Sequence, residues 1–343
     1  MNERVLWYVH DQGHGHAQRA GAVLTHLGAE AVIAAGPGVA DLAATLPAEV
    51  VILPKDHDLG DPPTRGPWHH APASASTRAR FAALSDLVAR HRCTTAVVDV
   101  SIETALWARF SGLRLVVVRQ TGVRTDGAHR LAWASADRVL VPQHPALEPI
   151  PSAERRSSDR WAFTGAFSRF DDEPVVASGG ADGTRRCLVV VGAGESTFPA
   201  GSWASGPAPA GWHVTIAGPA IRPSRPGVEF VGRVGRLWPR VCAADVVVTS
   251  AGWASVADAA SAGRALVVVP ERRPYDEQLV RARALADRQL AEHLERWPTL
   301  TELPALLERV SASSGDSRRR WAPFYDRRGA RRAAAVIDEV HAG

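Results

Sequence analysis

Lysine is all but absent from this chain. Among the 40 lysines and arginines of its 343 residues only Lys55 is a lysine, and it lies in no G-x-x-x-x-G-K-[ST] pattern, so a Walker-type phosphate loop is excluded. Cysteine is equally scarce. Cys93, Cys187 and Cys242 are odd in number, far apart and never in a C-x-x-C pair, which removes a zinc ribbon, a redox dithiol and a disulfide framework and fits a reducing cytoplasm. No apolar run approaches the roughly 20 residues that span a bilayer, and the opening MNERVLWYVH carries Glu3 and no signal-like apolar stretch. The expectation is a soluble, cytoplasmic protein, with any contact to the inner membrane face peripheral. An excess of charge is lacking too. A formal net charge of +4, spread along the chain, argues against a nucleic-acid partner.

What is present is material for packed cores. Hydrophobic residues at 45% and charged residues at 22% belong to a globular protein, and the length favours two domains of ordinary size over one. From Arg4 to His10 the run RVLWYVH reads as a buried strand, followed by Gly13, Gly15 and an Ala/Leu pattern that reads as a helix through Leu27. Strand-like runs recur at Ala29 to Ala35, Glu49 to Leu53, TTAVVDV ending at Val100, Leu113 to Arg119 and Asp137 to Pro142, with helical patterns at Thr77 to His91 and Ile102 to Phe110. A second series follows the Gly/Asp-rich stretch Asp171 to Thr184: Arg186 to Gly194, His213 to Gly218, Val228 to Gly232, Ala244 to Gly252 and Arg264 to Pro270. Continuous apolar strands alternating with helices predict parallel sheets covered on both faces.

The expected fold class is therefore α/β, with two Rossmann-like, doubly wound domains facing across a cleft. The boundaries read as 1–164 for the first domain, 165–184 for a linker, 185–316 for the second domain and 317–343 for a C-terminal helix packing back on the first. That helix, read as continuous from Ser317 to Val340, is rich in arginine, a pattern that reads as a solvated face before it reads as a membrane contact. In open α/β sheets ligands sit beyond the carboxyl ends of the strands, so the glycine-bearing loops after strands are where chemistry is expected.

Three such loops stand out. The first is HDQGHGHAQRA, His10 to Ala20, where Gly13 and Gly15 let backbone approach a ligand. His16, at the helix start, is placed to act as a general base, because the positive end of the helix dipole favours the neutral imidazole; His14 lies beside it. The loop is no dinucleotide fingerprint, since Gln18 stands where the third glycine is needed. The second is Gly192 to Thr197, GAGEST, after a strand and expected to enter a helix directly, where free amides and Ser196 would suit a diphosphate. The third is TSAGWASVAD, Thr249 to Asp258, with Pro270, Glu277 and Gln278 further on. Its small residues Ser250, Gly252, Ala254 and Ser255, with Trp253, open a helix on which Asp258 would accept hydrogen bonds from vicinal hydroxyls.

The order of these loops resembles the GT-B glycosyltransferases, most closely the family 28 group that includes the N-acetylglucosaminyltransferase of peptidoglycan synthesis. The resemblance covers nearly the whole chain in layout, and its specific part is residues 244 to 282. It implies that Gly252 and Asp258 hold the nucleotide ribose, although the group more often has Glu at the second position. It implies further that Pro270, Glu277 and Gln278 contact the donor sugar, that Gly192 and Gly194 lie near the diphosphate, and that Gly13, Gly15 and His16 form the loop carrying the base. Glu277 stands where the peptidoglycan enzyme has the first of a glutamine pair.

The function expected is transfer of a hexose from a nucleotide-sugar donor, UDP-linked by the resemblance, to an acceptor hydroxyl. No metal or other cofactor is expected, because helix amides and Arg233, just after Gly232, would meet the charge of the leaving diphosphate. The acceptor class stays open among lipid-linked, polysaccharide and small-molecule hydroxyls. The long segment between Asp58 and Ser76 is expected to shape its site through Trp68, His69 and His70. Asp56, His57 and Asp58 spell D-x-D, which reads as an accident of sequence and not a metal site. Two alternatives share the architecture. The G-x-G-H-x-x-R run from Gly13 to Arg19 also resembles nucleotide-sugar hydrolases of the pseudaminic acid pathway, in which His16 would activate water, and a non-catalytic sugar-nucleotide-binding protein would keep the loops without turnover.

Overall fold

The computed structural model describes residues 3–10, 14–56, 61, 62, 64, 68, 69, 71–148, 158–176, 183–192, 194–312 and 314–343. Gly13, His57, Asp58 and His70, singled out above, lie outside the described residues.

The first half of the chain runs β1 (Arg4–Val9), α1 (Gly15–Leu24), β2 (Ala31–Ala35), α2 (Ala40–Ala43), β3 (Glu49–Ile52), α3 (Ala75–His91), β4 (Cys93–Asp99), α4 (Ile102–Phe110), β5 (Arg114–Val118), α5 (Gly127–Ser135), β6 (Arg138–Val141) and β7 (Trp161–Phe163). Its strands form one parallel sheet in the order β3-β2-β1-β4-β5-β6-β7. The second half runs β8 (Arg185–Val190), α6 (Ala200–Ser205), β9 (Trp212–Ala217), β10 (Val228–Gly232), α7 (Trp238–Ala243), β11 (Val246–Thr249), α8 (Trp253–Ser261), β12 (Ala265–Val268), α9 (Glu277–Asp287), β13 (Glu292–His293) and α10 (Leu303–Ala312), with α11 (Ser317–Trp321) and α12 (Gly329–Ala342) closing the chain. Its sheet is also parallel, in the order β10-β9-β8-β11-β12-β13.

Why these runs become central strands is visible in β1. Val5, Trp7 and Val9 enter the core on one face while Leu6 and Tyr8 enter the core on the other, so the period-2 alternation of a strand buries every side chain. Each such burial is worth about 1.5–3 kcal/mol. The strand order reverses between β1 and β4 in the first sheet and between β8 and β11 in the second. These are the two switch points at which a doubly wound sheet opens a crevice.

The terminal segment differs from its sequence reading. The helical stretch expected from Ser317 to Val340 is broken between Trp321 and Gly329, where Pro323 cannot donate to a helix and Arg327 adopts φ 60°. Beyond the break α12 lays Ala330, Ala333, Ala334 and Ile337 into the core of the first sheet, and Asp338 accepts from the amides of Gly28 and Ala29 at 3.0 Å each. Two short strands, β7 and β13, were not visible in the sequence pattern.

Candidate functional site

The switch point of the first sheet brings together residues far apart in sequence. Val9 and Asp99 are paired neighbours at the ends of β1 and β4, and α1 starts above them, so His16 and Arg19, three residues apart on one helical face, both reach Asp99. His16 Nδ1 lies 3.2 Å from Asp99 Oδ1, and Arg19 Nη1 donates to Oδ1 at 2.7 Å and Oδ2 at 2.9 Å. The Gln120 amide nitrogen lies 3.3 and 3.4 Å from the two ring nitrogens of His16. Asp99 is fully buried. With Nδ1–H directed at Asp99, Nε2 is the ring nitrogen left to accept, and the Gln120 amide already lies 3.4 Å from it.

Asp99 and Gln120 were missed in the sequence reading. The available signal was position: an aspartate ending the apolar run TTAVVD is polar where a doubly wound sheet opens.

Arg19 also crosses to the other half of the molecule. Its guanidinium carbon stands 4.6 Å from the centroid of the Trp253 ring, and Trp253 begins α8. The Trp253 indole N–H donates to the Pro142 carbonyl at 3.1 Å, and its ring meets Phe167 edge to face at 5.0 Å. The first turn of α8 is thereby held against the first sheet. Gly252 occupies its N-cap position without a side-chain cap, which leaves helix N–H groups for an anion.

The loops of the second sheet converge beside this helix end. A Cβ on Gly192 would stand 3.9 Å from Ser250 Oγ, and one on Gly194 would stand 3.2 Å from Arg273 Nη2, so the second and third loops are neighbours. Gln278 is buried and fixed by accepting from the Glu271 amide at 2.9 Å, while its Nε2 lies 4.0 Å from the position of a Cβ on Gly252. Arg281, also buried, donates to the Ala251 carbonyl at 2.6 Å and pairs with Glu277 one turn back at 3.4 Å. Ser255 Oγ bonds back to the Gly252 carbonyl at 3.3 Å, and Pro270 is half-buried after β12.

The second loop does not enter a helix as expected. From Val191 to Pro199 the described backbone is not helical, and α6 begins only at Ala200. Glu271 decides this: its carboxylate accepts from Ser196 Oγ at 2.7 Å, the Thr197 amide at 2.9 Å, Thr197 Oγ1 at 3.0 Å and the Trp297 indole at 2.9 Å. Burial pushes that carboxyl up, but these donors outweigh burial and hold it below its ordinary value. The Ser196 hydroxyl is spent on Glu271, and Glu195 is exposed.

Asp258 is 3% exposed. A protein hydroxyl already reaches it, Ser168 Oγ at 2.5 Å, and Arg169 Nη2 lies 3.4 Å from its other oxygen. Burial raises the Asp258 carboxyl to about 6, with Arg169 and Ser168 partly offsetting. Arg233 is exposed after β10. Burial, with the positive charges of Arg233 and Arg169 adding to it, lowers the pKa of His14.

The far wall joins the two halves a second time. The Val123 amide donates to the Tyr275 carbonyl at 2.8 Å, Arg124 lies 4.4 Å over the Tyr275 ring, and Tyr275 Oη lies 2.9 Å from His69 Nδ1. Gly122, at φ 129°, is required there, because a Cβ would sit 2.7 Å from the Tyr275 carbonyl. Trp68 is 40% exposed beside His69 in sequence. His69, Asp126 and His129 offer atoms within 4.8 Å of one another, the sole set of that kind among the described residues. Arg124 Nη1, however, lies 3.0 Å from His129 Nε2 and Asp126 Oδ2 lies 2.6 Å from its Nδ1. The guanidinium can only donate, so Nε2 accepts, Nδ1 carries the proton, and no lone pair of His129 is left for a metal. Asp56, the described member of the D-x-D triplet, is buried against Arg80 at 2.7 Å and His10 at 3.6 Å.

No family model and no curated protein matches the sequence. Solved structures do match, over essentially the full length. CalG4, the calicheamicin glycosyltransferase, shares 20% identity over 100% of this chain and 98% of its own, with a TM-score of 0.68. MurG of Acinetobacter baumannii shares 15% over 98% and 100%, with a TM-score of 0.66. UGT2 of Phytolacca americana, complexed with UDP-2fluoro-glucose and pterostilbene, shares 11% over 100% of both chains, with a TM-score of 0.67. The fold is GT-B: two Rossmann-like units, one per sheet, facing across a cleft.

Proposed function

We propose that this protein transfers a sugar from a nucleotide-sugar donor to an acceptor hydroxyl. The observation that carries the reading is the pairing of His16 with Asp99 on one wall of the cleft, opposite the uncapped start of α8 on the other. In this reading His16 Nε2 takes the acceptor's proton, the acceptor oxygen bonds to the anomeric carbon, and the bond from that carbon to the diphosphate breaks. The leaving diphosphate is met by the α8 amides and by Arg233 and Arg169, so no metal is required for charge neutralisation. A single displacement of this kind inverts the anomeric carbon.

The donor is assigned to the second unit: ribose at Asp258, diphosphate at Gly252 and the Gly192–Gly194 turn, sugar at Gln278, Glu277 and Pro270. Ribose must displace Ser168 from Asp258 to bind there. A UDP-linked donor fits the UDP-2fluoro-glucose complex of the plant neighbour, and the acceptor is assigned to the wall carrying His14, Trp68 and His69. Calorimetry with UDP, dTDP, GDP, CMP and ADP tests the donor half, with preferential binding of one diphosphate expected. Turnover with the sugar form of that diphosphate tests the rest. His16→Ala is expected to lower it by about 10²–10⁴-fold, the range of a general base, and an unchanged rate would remove His16 from the mechanism. Release of free sugar without an acceptor would assign the site to hydrolysis instead.

A further inference from the structure

We propose that Arg19 is a positioning residue for the His16 base: it neutralises Asp99, so that this carboxylate orients the imidazole without drawing a proton onto it. The inference rests on the reading of His16 as the base, and it concerns a residue to which that reading gives no part.

Asp99 is fully buried and has two partners of different kinds. Arg19 takes the shorter contacts, 2.7 and 2.9 Å from a single nitrogen, and His16 shares Oδ1 at 3.2 Å. A buried carboxylate facing His16 alone would relieve its charge in one of two ways, by accepting a proton itself or by holding one on the imidazole. Either outcome disables a base that must start neutral. A guanidinium, charged at every accessible pH, removes the need for both and leaves Asp99 free to accept from Nδ1–H. Burial alone would push the Asp99 carboxyl up, but Arg19 and then His16 outweigh it and hold the group below its ordinary value.

The other groups facing His16 cannot substitute. Gln120, from the loop after β5, is neutral. His10, at the end of β1, has its ring centroid 6.1 Å away and is turned to Asp56 at 3.6 Å. His14, at the same helix start, has its own pKa lowered by burial and by the charges of Arg233 and Arg169. Arg19 is 3% exposed and is clamped on its far side by the Trp253 ring at 4.6 Å, so it cannot swing away to solvent. The clamp belongs to α8, and the charge that sets the base is therefore seated by the helix assigned to the donor.

The test is an NMR pH titration of the His16 ring in the full chain, which requires no turnover. In Arg19→Gln the titration midpoint of His16 is expected to rise by about one pH unit or more relative to the unmodified protein, as for a group left beside an uncompensated carboxylate. Arg19→Lys, which keeps the charge, is expected to restore most of the original midpoint. An unmoved or lowered midpoint in Arg19→Gln overturns the proposal. If Arg19→Gln fails to fold, comparing Asp99→Asn with Asp99→Asn/Arg19→Gln reads the same charge without a buried unpaired carboxylate. A higher midpoint in the double variant supports the proposal, and equal midpoints overturn it. Should His16 move as expected while no sugar is transferred, the transfer reading fails and the electrostatic role of Arg19 stands.

Discussion

Ser168 Oγ donates to Asp258 Oδ1 at 2.5 Å, so a residue of the segment between the two sheets occupies the carboxylate assigned to the donor ribose. Ser168 also bonds to its own neighbourhood, donating its amide to Asp171 Oδ2 at 2.9 Å, and Asp171 in turn accepts from Ser261 and Tyr325. Occupation of Asp258 by ribose would break the Ser168 contact and leave the Asp171–Ser261 bond to hold this connecting segment to α8.

Asp258 carries a pH signature. Its carboxyl, raised by burial to about 6 in the fold, would titrate near 3.9 in the unfolded chain. The folded state therefore binds the extra proton, and its stability is greatest below pH 4 and declines as pH rises through 6. That difference between the folded and unfolded carboxyl corresponds to about 2–3 kcal/mol at most. Asp258→Asn is expected to raise the unfolding free energy at pH 7.5 by up to that amount and to leave it unchanged at pH 4, while weakening diphosphate binding. Equal stabilities of the two proteins at both pH values would show that the carboxyl titrates at its ordinary value.

Glu271 is expected to govern the loop it holds. Glu271→Gln replaces an acceptor of four hydrogen bonds with an amide that presents an N–H₂ to donors, and a loss of about 1.5–3 kcal/mol in thermal or denaturant unfolding follows. If the Gly192–Thr197 turn contacts the diphosphate, affinity for the preferred nucleotide falls as well. Undiminished affinity in a destabilised Glu271→Gln would place the turn outside the donor site.

The architecture was legible because its central strands are buried on both faces, and runs such as RVLWYV and LVVV can be nothing else in a chain with this many helical patterns between them. The loops carrying His16, Gly252 and Gln278 were legible for the related reason that glycines and polar residues following such strands must lie at the sheet ends. What could not be read was pairing across long separations. Asp99 lies 80 residues from Arg19, and although its place at the end of TTAVVD marks a sheet opening, nothing local in that run names its ion-pair partner. Glu271 shapes a loop 75 residues earlier, which is why a helix was expected where the described backbone is not helical. The strand β13, two residues long, carries too little pattern to see at all.

The second bridge across the cleft is expected to weaken in acid. Burial lowers His129 to about 4, with Arg124 adding to the effect and Asp126 opposing it, against about 6.5 in the unfolded chain. A histidine depressed in the fold favours unfolding when protonated. Its contribution is therefore complete above pH 6.5 and is lost as pH falls through 4. Between those limits His129→Gln should lose less stability than the unmodified protein, measured as the difference in denaturation midpoint at pH 7 and pH 4.5. Parallel losses would show that His129 does not titrate there.

Trp253 separates packing from polar contact in the first bridge. Its ring faces Arg19 and Phe167, and its N–H satisfies the Pro142 carbonyl. Trp253→Phe keeps an aromatic face for the guanidinium and drops the hydrogen bond, for an expected cost of about 1–3 kcal/mol, the range for leaving a buried acceptor unsatisfied. Trp253→Ala removes the ring as well and is expected to cost about 3–5 kcal/mol. It also frees Arg19, so its effect on His16 should follow Arg19→Gln in direction, whereas Trp253→Phe should leave the His16 titration in place. A His16 midpoint insensitive to both Trp253 substitutions would show that Asp99 alone is enough to seat Arg19, and that α8 has no hold on the base.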